Sequence, residues 1–288
     1  MAVKVNMKKT SVFPAWILSG LTLFVLAVSS CATIPPGDRE RGTVEEQAPA
    51  EIPAEDIVED ILEAEAEDGI TAGILLGFDD NYYAGWEAAF PLFDRYGAKV
   101  TFFVQGNPAF CLNALARGHD IGYHTENHVD LRNLDRAAWT YETLDSARAL
   151  RENGIPLAAF AYPFGFSDPW MDEELLKNYA IIRGFGTTPR FYTKEAIASG
   201  LIASKSIDNT VIPDDTAFYQ MIGDLLQTAK AVGDLIIPLT THNIDDGAQW
   251  GIKTARLEFL LQTASEMGLR FYTYRELAPE WESVSPSP

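Results

Sequence analysis

The chain has 288 residues and carries 41 acidic against 22 basic side chains, a formal net charge of −19 at pH 7. No basic stripe breaks this acidity, so nucleic acids and anionic polymers are poor partner candidates, while neutral or cationic substrates remain open. The length suits one large domain with a full core or two small ones.

The first thirty residues carry Lys4, Lys8 and Lys9 and no acid, then an apolar run from Val12 to Val28. That charge-then-apolar layout predicts an export signal over residues 1–30. It ends in Val28-Ser29-Ser30-Cys31, which resembles a bacterial lipoprotein cleavage box. The resemblance implies a lipid-modified Cys31 and a domain tethered to a membrane on the exported side of the cell envelope. An uncleaved N-terminal anchor helix is the alternative. Once Cys31 is acylated, Cys111 is the only thiol left. No internal disulfide is then possible, and Cys111, between Phe110 and Leu112, is expected to be a buried apolar residue.

Residues 31–69 are rich in Pro, Glu and Ala, with thirteen acids against Arg39 and Arg41. This composition predicts a disordered tether. Ile57, Val58, Ile61 and Leu62 fall at helical spacing, so a short amphipathic helix is expected within 54–67.

From residue 70 the pattern alternates. Strand-like runs occupy 71–78, 99–104, 119–123, 157–162, 180–183, 201–205, 234–240 and 269–272. Helix-like stretches lie at 84–96, 107–117, 134–153, 172–178, 214–232 and 253–267. Gly97, Gly118, Gly154 and Gly268 stand where helices are expected to stop. Such alternation predicts an α/β fold with a parallel sheet covered by helices. Seven to eight units over 70–288 fit a distorted or incomplete (β/α) TIM-like barrel. An open doubly wound sheet is the alternative, but no Gly-rich phosphate loop follows its first strand.

The polar residues then fall into place. Asp79 and Asp80 follow the first strand, His124 and His128 the third, Tyr162-Pro163-Phe164-Gly165 the fourth, Arg183 the fifth and His242 the seventh. In a parallel barrel the C-terminal strand ends converge on one face, where active sites sit. Two imidazoles spaced as His124 and His128 can grip one ion from a shared face, and with Asp80 they make a two-His, one-carboxylate set. Zinc is the first choice for that set, and cobalt, nickel or iron also suit it. Adjacent residues of an extended strand point to opposite sides, so Asp79 is expected to do a different job, accepting a proton as catalytic base. His242 is the expected proton donor. His119, at the start of its strand, is expected to be structural.

The order of "FDD", "HTENH", "YPFG" and "LTTH" resembles the polysaccharide deacetylases with a NodB-homology domain, a family of metal-dependent carbohydrate esterases. The similarity runs from about residue 70 to 278. It implies removal of N- or O-acetyl groups from a glycan, with Asp80, His124 and His128 at the metal, Asp79 as base and His242 as acid. It also implies that the backbone N–H of Phe164 is an oxyanion donor. The chain departs from the family pattern at Gly77, where Thr is usual, and at Asn81, where Gly is usual. At Ala161 many members have an Arg that orients the base, and Arg183 at the next strand end is the candidate replacement. Asp208-Asn209 stands about where an Asp-Trp pair is usual. Tyr162, Trp170 and Trp250 are candidate substrate or orienting residues; Tyr82 and Tyr83 also lie near the expected mouth, and Trp86 is expected to pack.

The reading is an envelope-anchored, metal-dependent deacetylase of an N-acetylated glycan such as peptidoglycan or an N-acetylglucosamine polymer. A non-catalytic glycan-binding lipoprotein and an O-acetyl esterase are the alternatives.

Overall fold

The computed structural model describes residues 71–188 and 190–278. The expected signal segment, Cys31, the tether and the helix within 54–67 lie outside the described residues. No described helix is long and apolar enough to cross a membrane.

In chain order the elements are β1 (Gly73–Asp80), α1 (Tyr83–Arg95), β2 (Thr101–Val104), α2 (Pro108–Ala116), β3 (Asp120–Tyr123), α3 (Arg136–Thr140), α4 (Arg148–Glu152), β4 (Ala159–Ala161) and α5 (Pro169–Leu175). Then come β5 (Ile181–Gly186), α6 (Lys194–Ala198), β6 (Leu201–Ser206), α7 (Asp215–Val232), β7 (Ile236–Thr241), β8 (Asn243–Ile244), β9 (Gly251–Ile252), α8 (Thr254–Glu266), β10 (Arg270–Tyr272) and α9 (Tyr274–Leu277). Each expected strand is present. β1 to β7 pair in order, all parallel, and β7 closes back on β1. The result is a seven-stranded barrel. β10 adds an eighth strand by pairing with the first half of β1, Gly73 to Leu75, while β2 takes the second half, Gly77 to Asp80.

Alternation along the strands sorts side chains into two layers. Leu75, Phe103, Ala159, Ala161, Ile181 and Ile236 fill the barrel. Their neighbours Ile74, Leu76, Phe78, Phe102, Val104, Phe160, Ile182 and Ile237 pack between strands and helices. The Phe103 ring explains two small residues: a Cβ would stand 2.4 Å from it at Gly122 and 3.1 Å from it at Gly77. Gly77, like Gly122, leaves room for that ring.

Gly97, Gly118, Gly154 and Gly268 all have positive φ, from +62° to +80°, as expected just past helix ends. The helix expected over 134–153 is interrupted. Between α3 and α4 the chain widens into a π turn at Tyr141–Asp145, where Ser146 N–H donates to the Tyr141 carbonyl at 3.1 Å. The helix expected from 172 starts earlier, at Pro169, because the fixed φ of proline suits a first helical position. α6, α9 and the β8–β9 pair have runs too short to give a sequence period.

Candidate active site

The C-terminal strand ends open into one cavity of about 370 Å³, whose lining includes Asp79, Asp80, His124, His128, Phe164, His242 and Trp250. Five non-glycine residues among those described have left-handed φ, and four of them build this face: Asp80 (+83°), Thr125 (+66°), His128 (+51°) and Phe164 (+59°). Backbone strain of this kind, costing about 1–3 kcal/mol per residue, concentrates where a site needs it.

Asp80 corrects one expectation. Ideal alternation would aim it away from Asp79, but its left-handed φ turns the chain so that both carboxylates line the same cavity. The Oδ1 atom of Asp80 is buried and has no hydrogen-bond partner. His124 Nε2 stands 3.5 Å from it and His128 Nε2 3.3 Å. One ligand atom from each of these three residues lies within 4.8 Å of the others. His124 Nδ1 is 2.8 Å from the Ala161 carbonyl oxygen; donating its proton there leaves Nε2 with a lone pair facing the cavity. Burial raises the Asp80 carboxyl, but His124, His242 and His128 outweigh it and hold the group below the usual range. Burial and the nearby His124 lower His128, outweighing the pull of Asp80 and Asp79, so its neutral, ligating form is favoured. An orphaned carboxylate oxygen facing two imidazole lone pairs fits a divalent cation.

Beneath this trio lies the deeper carboxylate. Asp79 is fully buried, and its Oδ2 accepts from Arg183 Nη2 at 2.6 Å. Arg183 is fully buried as well. Its Nη1 donates to Ser204 Oγ and Thr240 Oγ1, both at 3.2 Å, and its guanidinium lies against Phe103 and Phe185. Ala161 and Arg183 are register partners on adjacent strands β4 and β5. The guanidinium therefore reaches Asp79 from β5, one strand on from Ala161. Asp79 Oδ1 is left without a partner.

His242 lines the same cavity. Its Nδ1 is 2.8 Å from Asp208 Oδ2, and its backbone N–H donates to Asp208 Oδ1 at 3.2 Å. Thr241 and Ser206 hydroxyls donate to the same carboxylate at 2.7 Å each. Trp86 packs in the core as expected, and its Nε1–H also donates to the His242 carbonyl at 2.8 Å. Burial lowers His242, but the Asp208 hydrogen bond and the charges of Asp79, Asp208 and Asp80 outweigh this and raise it to about 9. A group raised in the fold stabilises fully below its unfolded pKa and loses that contribution as pH climbs through the folded value. In the metal-free protein, the stability advantage of wild type over His242→Gln is therefore expected to shrink between pH 6.5 and about 9. The expected change is on the order of 1–3 kcal/mol, and thermal unfolding across that range checks it. A pH-independent difference would remove the protonated imidazole.

The other candidates separate. Phe164 is the third residue of a tight turn closed by Gly165 N–H to the Tyr162 carbonyl at 3.0 Å, and its ring lies 4.7 Å from that of His128. Trp250 is half exposed at the rim, 6.0 Å from the His242 ring. Tyr162 is not at the cavity: strand alternation turns it toward the helices, where its hydroxyl donates to Asp172 at 2.8 Å. Trp170 is also outside, packed on Trp139 with Arg136 over its ring. His119 is buried against Phe90, and burial lowers it to about 4, consistent with a neutral structural role. Asp208 is the residue whose part the sequence left unassigned. A carboxylate just past the end of β6, as Asp79-Asp80 ends β1, was the available signal. Phe166, Phe185, Ser206 and Val211 complete the lining.

Residues 67–179 match the family model "Polysaccharide deacetylase". Over that stretch, less than half of the chain, the sequence is similar to polysaccharide deacetylases. The match takes in Asp79, Asp80, His124, His128 and Phe164 and stops before Arg183, Asp208 and His242. Among curated protein sequences, none matches the chain. Solved structures share the deacetylase fold. The chitin deacetylase of the fungal pathogen Colletotrichum lindemuthianum is 16% identical with a TM-score of 0.53, over 75% of this chain and 91% of that one. A peptidoglycan deacetylase from Bacillus subtilis is 16% identical with a TM-score of 0.52, over 73% and 91%. The Xyl-CE4 domain of a multidomain xylanase from the hindgut metagenome of Trinervitermes trinervoides is 17% identical with a TM-score of 0.51, over 71% and 88%. The barrel here thus shares its fold with these structures.

Proposed function

We propose that this protein is a metal-dependent hydrolase that removes N-acetyl groups from a cell-envelope glycan, peptidoglycan or an N-acetylglucosamine polymer, while held at the membrane through lipidated Cys31. The observation that carries the reading is the convergence of an Asp80-His124-His128 trio with two oriented pairs, Asp79–Arg183 and His242–Asp208, on one cavity. The two intact pairs argue against a binding-only protein, which would have no use for them. The acidity of the chain favours a neutral or cationic glycan.

Asp80, His124 and His128 would hold the ion, zinc by donor set. A bound divalent ion lowers the pKa of water from 15.7 toward roughly 7 and polarises a carbonyl. Asp79 keeps Oδ2 on Arg183 and uses the unpartnered Oδ1 to accept the proton of the attacking water. The Phe164 N–H, on its strained turn, donates to the oxygen that gains charge as the carbonyl carbon becomes tetrahedral. His242, kept protonated by Asp208, gives its proton to the leaving nitrogen. Acetate and a free amine result. Phe166 and Trp250, exposed at the rim, offer faces on which sugar rings stack.

The test is acetate release from chito-oligosaccharides, peptidoglycan fragments and O-acetylated xylan, before and after chelation and with zinc, cobalt, nickel or iron returned. Release from the N-acetyl substrates is expected to fall to background on chelation and return with metal. Release that ignores chelation would sink the metal-dependent mechanism. Glycan binding without release would favour the binding protein, and faster turnover of xylan would favour the esterase.

A further inference from the structure

The loop that carries the two histidines has little secondary structure of its own to hold it. Thr125 and His128 are both in the left-handed region, and between them Glu126 and Asn127 are exposed. Within the loop, His128 N–H donates to Thr125 Oγ1 at 3.1 Å. A residue outside it does more. Glu142, nearly fully buried in the π turn, accepts three hydrogen bonds from these two exposed positions. Its Oε2 takes Glu126 N–H at 3.1 Å and Asn127 N–H at 2.9 Å, and its Oε1 takes Asn127 Nδ2–H at 2.6 Å.

We propose that Glu142 is a positioning residue for the metal site: its carboxylate clamps residues 126–127 so that His128 stays aimed at the point His124 and Asp80 share. The inference rests on the metal-site reading above. A carboxylate gathering consecutive backbone N–H groups forms short, charge-assisted bonds, and left-handed residues persist only where surrounding contacts over-determine them. The interruption of the 134–153 helix then has a use. Widening the helix by one residue per turn shifts which side chains face inward, and π turns of this kind gather at functional sites. Glu142 touches no reacting atom. It acts through His128, and the change expected on its loss is in metal affinity.

Zinc affinity, measured by competition with a chromogenic chelator, tests this on the purified protein in wild type, Glu142→Ala, His128→Ala and the double variant, with thermal unfolding alongside. Removal of outer partners of metal ligands costs about 10–100-fold in affinity, and that loss is expected for Glu142→Ala. Asn127→Ala, which removes one of the three bonds, is expected to lose less. In the His128→Ala background the Glu142 substitution is expected to add nothing, because the ligand it aims is gone. Glu142→Gln keeps the side-chain volume and serves the same comparison if the alanine variant does not fold. Wild-type affinity in a folded Glu142 variant would overturn the proposal, as would an equal loss with and without His128. If wild type and His128→Ala bind zinc equally, the metal-site reading itself fails, and the clamp fails with it.

Discussion

Replacing Asp79 by Asn is expected to lower acetate release by about 10²–10⁴-fold, the usual contribution of a positioned general base, while zinc affinity stays within a few-fold of wild type. The separation follows from geometry. Asp79 lines the cavity with Oδ2 engaged by Arg183 and Oδ1 without a partner, whereas Asp80 Oδ1 is the carboxylate oxygen that both imidazoles approach. An amide at position 79 fills the same space and can still accept from Arg183, but it takes no proton from water. The variant also leaves a buried guanidinium without its counter-charge, so a lowered unfolding temperature is expected alongside the rate loss. Full acetate release with metal bound would remove Asp79 as the base.

The second large effect is expected at Arg183. Breaking a buried ion pair by removing one partner costs about 3–5 kcal/mol, because the remaining charge has no solvent to turn to. Both members are fully buried here, so Arg183→Met is expected to fall in that range by chemical denaturation. Activity is expected to fall with stability, because the group that holds Asp79 Oδ2 is gone. Arg183→Lys is expected to be an incomplete substitute, since one ammonium cannot span Asp79, Ser204 and Thr240 with a planar fork. The double variant Asp79→Asn with Arg183→Met should be less destabilised than the sum of the two single changes, because no lone charge is left buried. Strict additivity, or an Arg183→Met protein as stable and active as wild type, would show that the pair does not hold the base.

Much of the barrel was legible along the chain because strand and helix periods are local. Runs such as Thr101–Val104 and Ile236–Thr241 carry their burial in consecutive residues, and glycines at 97, 118, 154 and 268 mark where helices must turn left-handed. The 134–153 segment reads as one helix because the residue types at Tyr141–Asp145 carry no mark of a π turn. Tyr162 looked like a site residue because it adjoins Pro163-Phe164-Gly165, yet one step along a strand reverses the side-chain direction. Trp170 looked free in a loop, but Trp139 and Arg136 take its ring.

The two adjacent aspartates were visible from the start, and so were the four-residue spacing of His124 and His128 and the strand-end position of His242. By itself the sequence determined the alternating β/α architecture, the acidic character of the chain and which residues had the chemistry for a hydrolytic site. Only the tertiary structure decided their partners. Arg183 meets Asp79 across 104 residues, and Asp208 meets His242 across 34. Those distances close only because seven strands shut into a ring with a fixed register. The left-handed turn at Asp80, which brings two neighbouring carboxylates into one cavity, is likewise seen only in the fold, since Asp tolerates that conformation without requiring it. Pattern along a chain encodes which face a residue takes; closure and register decide what it meets there.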